Sequence, residues 1–249
     1  MARQHVSPKR PAATAQWQEF SGPAALARSL ARQVATVLTE AIQANGHATL
    51  AVSGGSTPAA FFRDLSCEPV DWARVTVTLV DERFVPLSSS RSNARLVTMN
   101  LLQNAAAKAR FEGLYEPRES VEAAAAEAAR RLAITTPPPF DAVILGMGKD
   151  GHTASFFPDS ADLRSLTDPE GAPTVAAVHS ATAREARLTW TLPALVSAGF
   201  VALHIEGLEK KDVLLAALGP GKDISYPVTA IFEHAKSPVH IFWATGGKA

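Results

Sequence analysis

Residues 140–152 read Phe140-Asp141-Ala142-Val143-Ile144-Leu145-Gly146-Met147-Gly148-Lys149-Asp150-Gly151-His152. A short, mostly apolar run ends abruptly in a glycine-rich loop. Such a run suits a strand buried on both faces. The same arrangement occurs twice upstream. Residues 48–53 are apolar and break at Gly54-Gly55-Ser56-Thr57-Pro58. Residues 75–80 are a β-branched run that ends in Asp81-Glu82-Arg83. Helical patterns lie between. Leu26, Leu30, Val34, Val37, Leu38, Ala41 and Ile42 recur at helical spacing after Ser21-Gly22-Pro23 and stop at Asn45-Gly46. Helices are also expected over residues 59–65, 92–107, 119–132 and 208–218. Further strands are expected over 17–20, 174–178, 188–192, 200–205 and 239–243.

Strands alternating with helices imply βαβ units. The expected fold is α/β: a mostly parallel sheet with helices on both faces, Rossmann-like and three-layered, in a single domain. Residues 1–16 are polar and Pro/Ala-rich and read as a flexible arm, leaving 17–249 as the domain. In such sheets, ligands bind just beyond the carboxyl ends of the strands. The loops after residues 53, 80 and 145 should therefore gather at one edge.

Composition narrows the function. The chain has 249 residues, 47% hydrophobic and 19% charged, which is globular rather than disordered. Lys and Arg total 24 and Asp and Glu total 24, so no global basic field draws the chain to nucleic acid or an anionic membrane. Any anion must be held by a local cluster. A single cysteine, Cys67, excludes a disulfide framework and a multi-cysteine zinc site and suits a reducing compartment. No run approaches the ~18 apolar residues of a membrane span, and the N-terminus lacks the apolar segment of a signal peptide. A cytoplasmic protein is expected, either a monomer or a small homo-oligomer.

Each loop offers chemistry. Gly54, Gly55, Ser56 and Thr57 provide outward N–H groups and hydroxyls ahead of a helix, an anion cradle or merely a capped turn. It is not a Walker loop, because no GK[ST] follows. Asp81-Glu82-Arg83 must be solvated, paired or facing a polar cleft. Arg83 could fork onto a phosphate, and Asp81 could act as a base or an orienting group. The bland reading is a surface ion pair. Arg91, Ser92 and Asn93 start the next helix and could cap it or contact a ligand. Residues 146–151 match GxGxxG, but the apolar segment 154–157 is halted by Pro158, and Asp150 would put negative charge where a pyrophosphate should sit. A nucleotide site is therefore disfavoured. Of seven histidines, His152 alone follows a glycine-flanked Asp at a strand's end, leading into an expected helix. An ordinary imidazole titrates near ~6.5 and can accept a proton at neutral pH. His204 lies in a strand pattern and reads as packing. Arg187 opens a strand near the same edge. Lys210 and Lys211 begin a helix after Gly207 and gain nothing from the dipole there, which hints at another role for one of them.

These motifs, in this order, resemble the 6-phosphogluconolactonase family: SGGSTP, VTLVDERFVP with a following SN, FDAVILGMGKDGHTASFFP, RLTWTLP and GLEKKDVL. The likeness runs from about Trp17 to the C-terminus, and GMGKDGHTASFFP is its most specific part. The resemblance implies the fold shared with glucosamine-6-phosphate isomerase/deaminase. It also implies hydrolysis of 6-phospho-D-glucono-1,5-lactone, a small and already reactive phosphosugar lactone, in the oxidative pentose phosphate pathway, with no metal or cofactor. It puts the general base on His152 with Asp150 beside it, the phosphate loop on Gly54, Gly55, Ser56 and Thr57, and basic groups on Arg83 and Arg187. Family members often carry Lys-Pro-Pro shortly before that second arginine. Here residues 181–186 read Ala-Thr-Ala-Arg-Glu-Ala, so either Arg184 replaces the lysine charge or the phosphate has one cation fewer. Two alternatives stay open. An isomerase/deaminase would use Asp81 and His152, but this chain lacks the Asn-Glu-Pro element that such relatives usually carry after the histidine. A non-catalytic sugar-phosphate sensor would need a DNA-binding module for which the first 16 residues are too short.

Overall fold

A helix of 23 residues, α1 (Pro23–Asn45), opens the fold in this computed structural model, which describes residues 14–219 and 226–246. Pro23 enters at the first turn, where its missing N–H costs nothing. Gly46 ends the helix in the left-handed region, at φ 80°, with its N–H on the Ile42 carbonyl at 2.9 Å. The helix buries Leu26, Leu30, Val34 and Leu38. Before it comes β1 (Ala15–Phe20). After it follow β2 (Ala48–Val52), α2 (Ala59–Ser66), β3 (Val75–Leu79), β4 (Asp81–Arg83), α3 (Asn93–Asn100), β5 (Arg110–Glu112), α4 (Val121–Thr135) and β6 (Ala142–Leu145). The remainder is α5 (Leu163–Leu166), β7 (Val175–Val178), β8 (Arg187–Trp190), α6 (Leu192–Val196), β9 (Phe200–Glu206), α7 (Leu208–Leu218), α8 (Thr229–His234) and β10 (Val239–Ala244).

Seven strands form one parallel sheet in the order β1-β10-β9-β6-β2-β3-β5. Every residue of β2 and β6 is buried, so both faces are covered. The expected α/β sheet is therefore present. A second sheet, β4-β8-β7, is antiparallel and was not expected. The chain changes sheets at one residue. Val80 donates its N–H to Val52 of the parallel sheet at 2.9 Å, and its carbonyl accepts from Trp190 of the small sheet at 3.1 Å. Asp81-Glu82-Arg83 is thus a strand rather than a loop.

Other expectations shift at their ends. The helix over 92–107 stops at Asn100. A 3-10 turn, Asn104–Lys108, follows, entered through the left-handed Asn104 at φ 50°. No helix follows His152. Residues 153–156 close a turn instead, with Ala154 in the left-handed region at φ 51°. The short elements α5, α6, α8 and β5 carry too few residues to show a period. Of the expected arm, residues 1–13 lie outside the described residues, while Ala15 and Gln16 pair with Val239 and His240.

Leu50 sits fully buried between Val77 and Ala142 in the centre of the sheet. Leu50→Ala should lower the unfolding free energy by about 2–5 kcal/mol in urea titration. Ile134→Ala, at a side chain 77% exposed, should change it by less than about 0.5 kcal/mol.

Candidate active site

The loop after β2 leaves the sheet one hydrogen bond late, with the Ser53 N–H on the Ile144 carbonyl at 2.9 Å. Gly54 then passes directly under Asn93. A Cβ on Gly54 would lie 1.9 Å from Asn93 Oδ1, so only glycine fits. Gly55 turns at φ 99° and brings Ser56 and Thr57 to the start of α2. Asn93 is held from below. Its Nδ2 donates to the Asp81 carbonyl at 2.8 Å, and its N–H donates to Glu82 Oε1 at 2.8 Å. Ser92, not Asn93, caps α3.

The charged strand β4 divides its three residues among three tasks. Asp81 is 6% exposed, and its Oδ2 accepts the Ser155 hydroxyl at 2.6 Å. Glu82 is fully buried and accepts the N–H groups of Arg83, Asn93 and Ala94 and the Ser92 hydroxyl, at 2.7–3.0 Å. Burial pushes its pKa up, against the pull of those donors. Arg83 stands directly opposite Arg187 across the β4–β8 ladder. Like charges at such a pair repel, and the Nε of each is buried without a hydrogen-bond partner. Burial, resisted by the Asp81 charge and aided by Arg83, holds the Arg187 pKa below its usual value. An anion placed between the two arginines relieves both problems at once. Arg91, by contrast, is already paired with Glu185, its Nη2 on Oε2 at 2.7 Å.

The loop after β6 folds back on itself. Gly148 N–H donates to the His152 carbonyl at 2.9 Å, and Gly151 turns at φ 74°. His152 Nδ1–H donates to Asp150 Oδ1 at 2.6 Å, which leaves the lone pair on Nε2. Burial raises the Asp150 pKa, but the hydrogen bonds and charge of His152 outweigh it, and the net shift is downward. The carboxylate therefore stays ionised beside the imidazole. A Cβ on Gly148 would come within 2.3 Å of the His152 ring and 2.5 Å of Asp150 Oδ1. Of the glycines in the GxGxxG match, Gly148 makes room for this pair and Gly151 turns the chain between its two residues.

These parts line one cleft of about 450 Å³. Gly54, Gly55, Ser56, Thr57, Asp81, Arg83, Asn93, Asp150, His152, Arg184, Arg187 and Lys210 all border it. Arg184 is exposed at the loop that closes one side, whereas Lys210 is half-buried. Burial lowers the Lys210 pKa, with Glu206 and Glu209 pulling it up and Lys149 down. The sequence did not single out Ser155 or Phe157 for the site, and His204 reads there as packing. Phe157 and His204 also border the cleft, and His204 is 3% exposed with its Nε2 3.3 Å from Glu206 Oε1. An apolar or strand-like setting hides such residues, because only the folded chain shows which face meets the cleft. Among the described residues, no group of three or more His, Cys, Asp or Glu is placed to hold a metal, and no helix is long and apolar enough to cross a membrane.

Residues 21–243 match the family described as glucosamine-6-phosphate isomerases/6-phosphogluconolactonase. The chain belongs to this family. A 6-phosphogluconolactonase of Mesorhizobium japonicum is 50% identical over 98% of this chain and 100% of its own. One from Rhizobium meliloti is 52% identical over 90% of this chain and 97% of its own. The crystal structure of a 6-phosphogluconolactonase from Shewanella baltica superposes with a TM-score of 0.88, at 40% identity, covering 92% of this chain and 97% of that one. Within the family fold, the cleft lies at the carboxyl edge of the parallel strands, as expected for an open α/β sheet.

Two outcomes follow from the His152–Asp150 pair. Gly148→Ala should displace the imidazole and lower turnover by about tenfold or more, with a far smaller change in melting temperature; both are read on the purified variant. A carboxyl held below its ordinary value of 3.8 stabilises the fold above that pH and loses the contribution as pH falls through the lowered value. The stability difference between wild type and Asp150→Asn should therefore be present at pH 5–6 and vanish toward pH 2, measured by denaturant unfolding across that range.

Proposed function

We propose that this chain hydrolyses 6-phospho-D-glucono-1,5-lactone to 6-phosphogluconate, the lactone-opening step of the oxidative pentose phosphate pathway. One observation carries the reading. A histidine with its Nδ1 fixed on an ionised carboxylate shares a single cleft with two opposed arginines and a double-glycine loop. The first is suited to activating water and the second to gripping a dianion.

In this reading, Gly54, Gly55, Ser56, Thr57, Arg83, Arg187 and Lys210 hold the phosphate, with Arg184 at the mouth able to add a further charge. The phosphate anchors the ring so that the C1 carbonyl meets the water on His152 Nε2. The imidazole takes the proton as the water oxygen bonds to C1. Asp150 stabilises the imidazolium that results, much as a carboxylate does in a hydrolytic triad. Collapse of the tetrahedral intermediate breaks the C1–ring oxygen bond, and the imidazolium returns its proton to that oxygen. Asp81, tied to Ser155, stands at the floor as an orienting charge facing Arg187. The reaction draws on no cofactor. A cytoplasmic location and a monomer or small homo-oligomer belong to the same proposal.

Isomerase relatives usually carry an Asn-Glu-Pro element after the histidine segment, and the corresponding stretch here, Ser155-Phe156-Phe157-Pro158-Asp159, has no Glu. The test is lactone consumption on freshly generated substrate, compared with the spontaneous rate. His152→Ala should lower kcat by about 10²–10⁴-fold with KM little changed. Arg83→Ala should instead raise KM by about tenfold, with a smaller effect on kcat. Turnover near wild type in His152→Ala overturns the mechanism. Ammonia release from glucosamine 6-phosphate in place of lactone loss would favour the isomerase.

A further inference from the structure

His152 and Arg187 come from separate parts of the chain, the loop after β6 and the first residue of β8. They nevertheless meet the same ring. The His152 imidazole lies against Phe157 with centroids 4.7 Å apart and planes tilted by 37°. The Arg187 guanidinium carbon stands 5.6 Å from the centre of that ring. Phe157 is only 5% exposed, and it borders the cleft. Its carbonyl accepts the Ser160 N–H at 3.1 Å, which ties the backbone just past the ring. The ring is thus one buried wall with the candidate base on one part and a candidate phosphate ligand on another.

The ring adds to the hold on both neighbours. The imidazole is pinned at one edge by Asp150, and a hydrogen bond at a single atom leaves it free to swing about that contact. The Nε of Arg187 has no hydrogen-bond partner, and Arg83 opposite repels its charge. Attraction of a guanidinium to an aromatic face opposes that repulsion, and the bulk of the ring stops the imidazole from turning.

We propose that Phe157 is a positioning residue that sets the span between the water-activating histidine and the anion-holding arginine. It thereby favours lactones whose phosphate lies at one fixed reach from the carbonyl. The inference rests on the hydrolase reading above. Removing the ring loosens both ends together, so kcat falls and KM rises in the same variant. Removing either end alone affects mainly one of them.

The experiment is a double-mutant cycle on 6-phospho-D-glucono-1,5-lactone with wild type, Phe157→Leu, Arg187→Gln and the double variant, plus Phe157→Tyr as the conservative control. All are checked by melting temperature, and Phe157→Met replaces Phe157→Leu if the latter fails to fold. Phe157→Leu should lower kcat/KM by about tenfold or more, divided between both constants, while Phe157→Tyr stays within about threefold. In the Arg187→Gln background, the same substitution should cost about fivefold less, the size expected of a partly desolvated cation–ring contact. Strictly multiplicative effects, wild-type constants in Phe157→Leu, or equal damage in Phe157→Tyr each overturn the assignment. Failure of the hydrolase reading looks different, because wild type itself would then not accelerate lactone loss.

Discussion

The parallel pairing of β2 with β6 is the constraint from which the cleft follows. Val52 lies beside Ile144 in register, so the two strands end at the same height. The next residues remain joined, with Ser53 N–H on the Ile144 carbonyl and Gly146 N–H on Ser53 Oγ at 3.3 Å. Both loops therefore leave from one point on one edge. Parallel strands all present their carboxyl ends on the same side, and β3 and β9 add Asp81 and Lys210 from either flank. A slip of one residue between these strands would turn side chains to opposite faces and separate the histidine from the glycine loop.

Charge is the second constraint. The strand β4 carries three charged residues at the boundary of two sheets, where desolvation of an unpaired carboxylate costs several kcal/mol. Glu82 meets that cost with three backbone N–H groups and a hydroxyl, at the first turn of α3, where the helix dipole also favours an anion. Its burial joins the start of α3 to β4. This holds Asn93 over Gly54 and keeps the Arg83 backbone in place. Arg83 and Arg187 are left facing each other with buried nitrogens unsatisfied. Such an arrangement is electrostatically suited to a multiply charged anion, even in a chain of zero net charge.

The main sheet was legible because its strands announce themselves. Residues 48–53, 75–80 and 140–145 are apolar runs closed by glycines or charges, and α1 carries a long, regular helical stripe. The small antiparallel sheet was not legible. Strands were expected where β7 and β8 lie, but β4 consists wholly of charged side chains, and its antiparallel pairing with β8 joins residues far apart in the chain. The turn after His152 was missed for a related reason. Ala154 has no preference for the left-handed region, and surrounding packing holds it there. Phe157 and His204 are ordinary core residues by pattern, and only tertiary contacts turn them toward the cleft, while Ser155 lies behind it on Asp81.

The local chemistry of each loop was written in the chain itself: glycines where the backbone turns sharply, hydroxyls ahead of a helix, an aspartate two residues before a histidine. Such features are short-range, and sequence spacing settles them. Which nitrogen of His152 is engaged, that Arg187 opposes Arg83, and that one phenylalanine touches both His152 and Arg187 belong to the folded molecule alone. Arg187 lies dozens of positions from both Arg83 and Phe157, and only strand register and close packing bring it within reach of them.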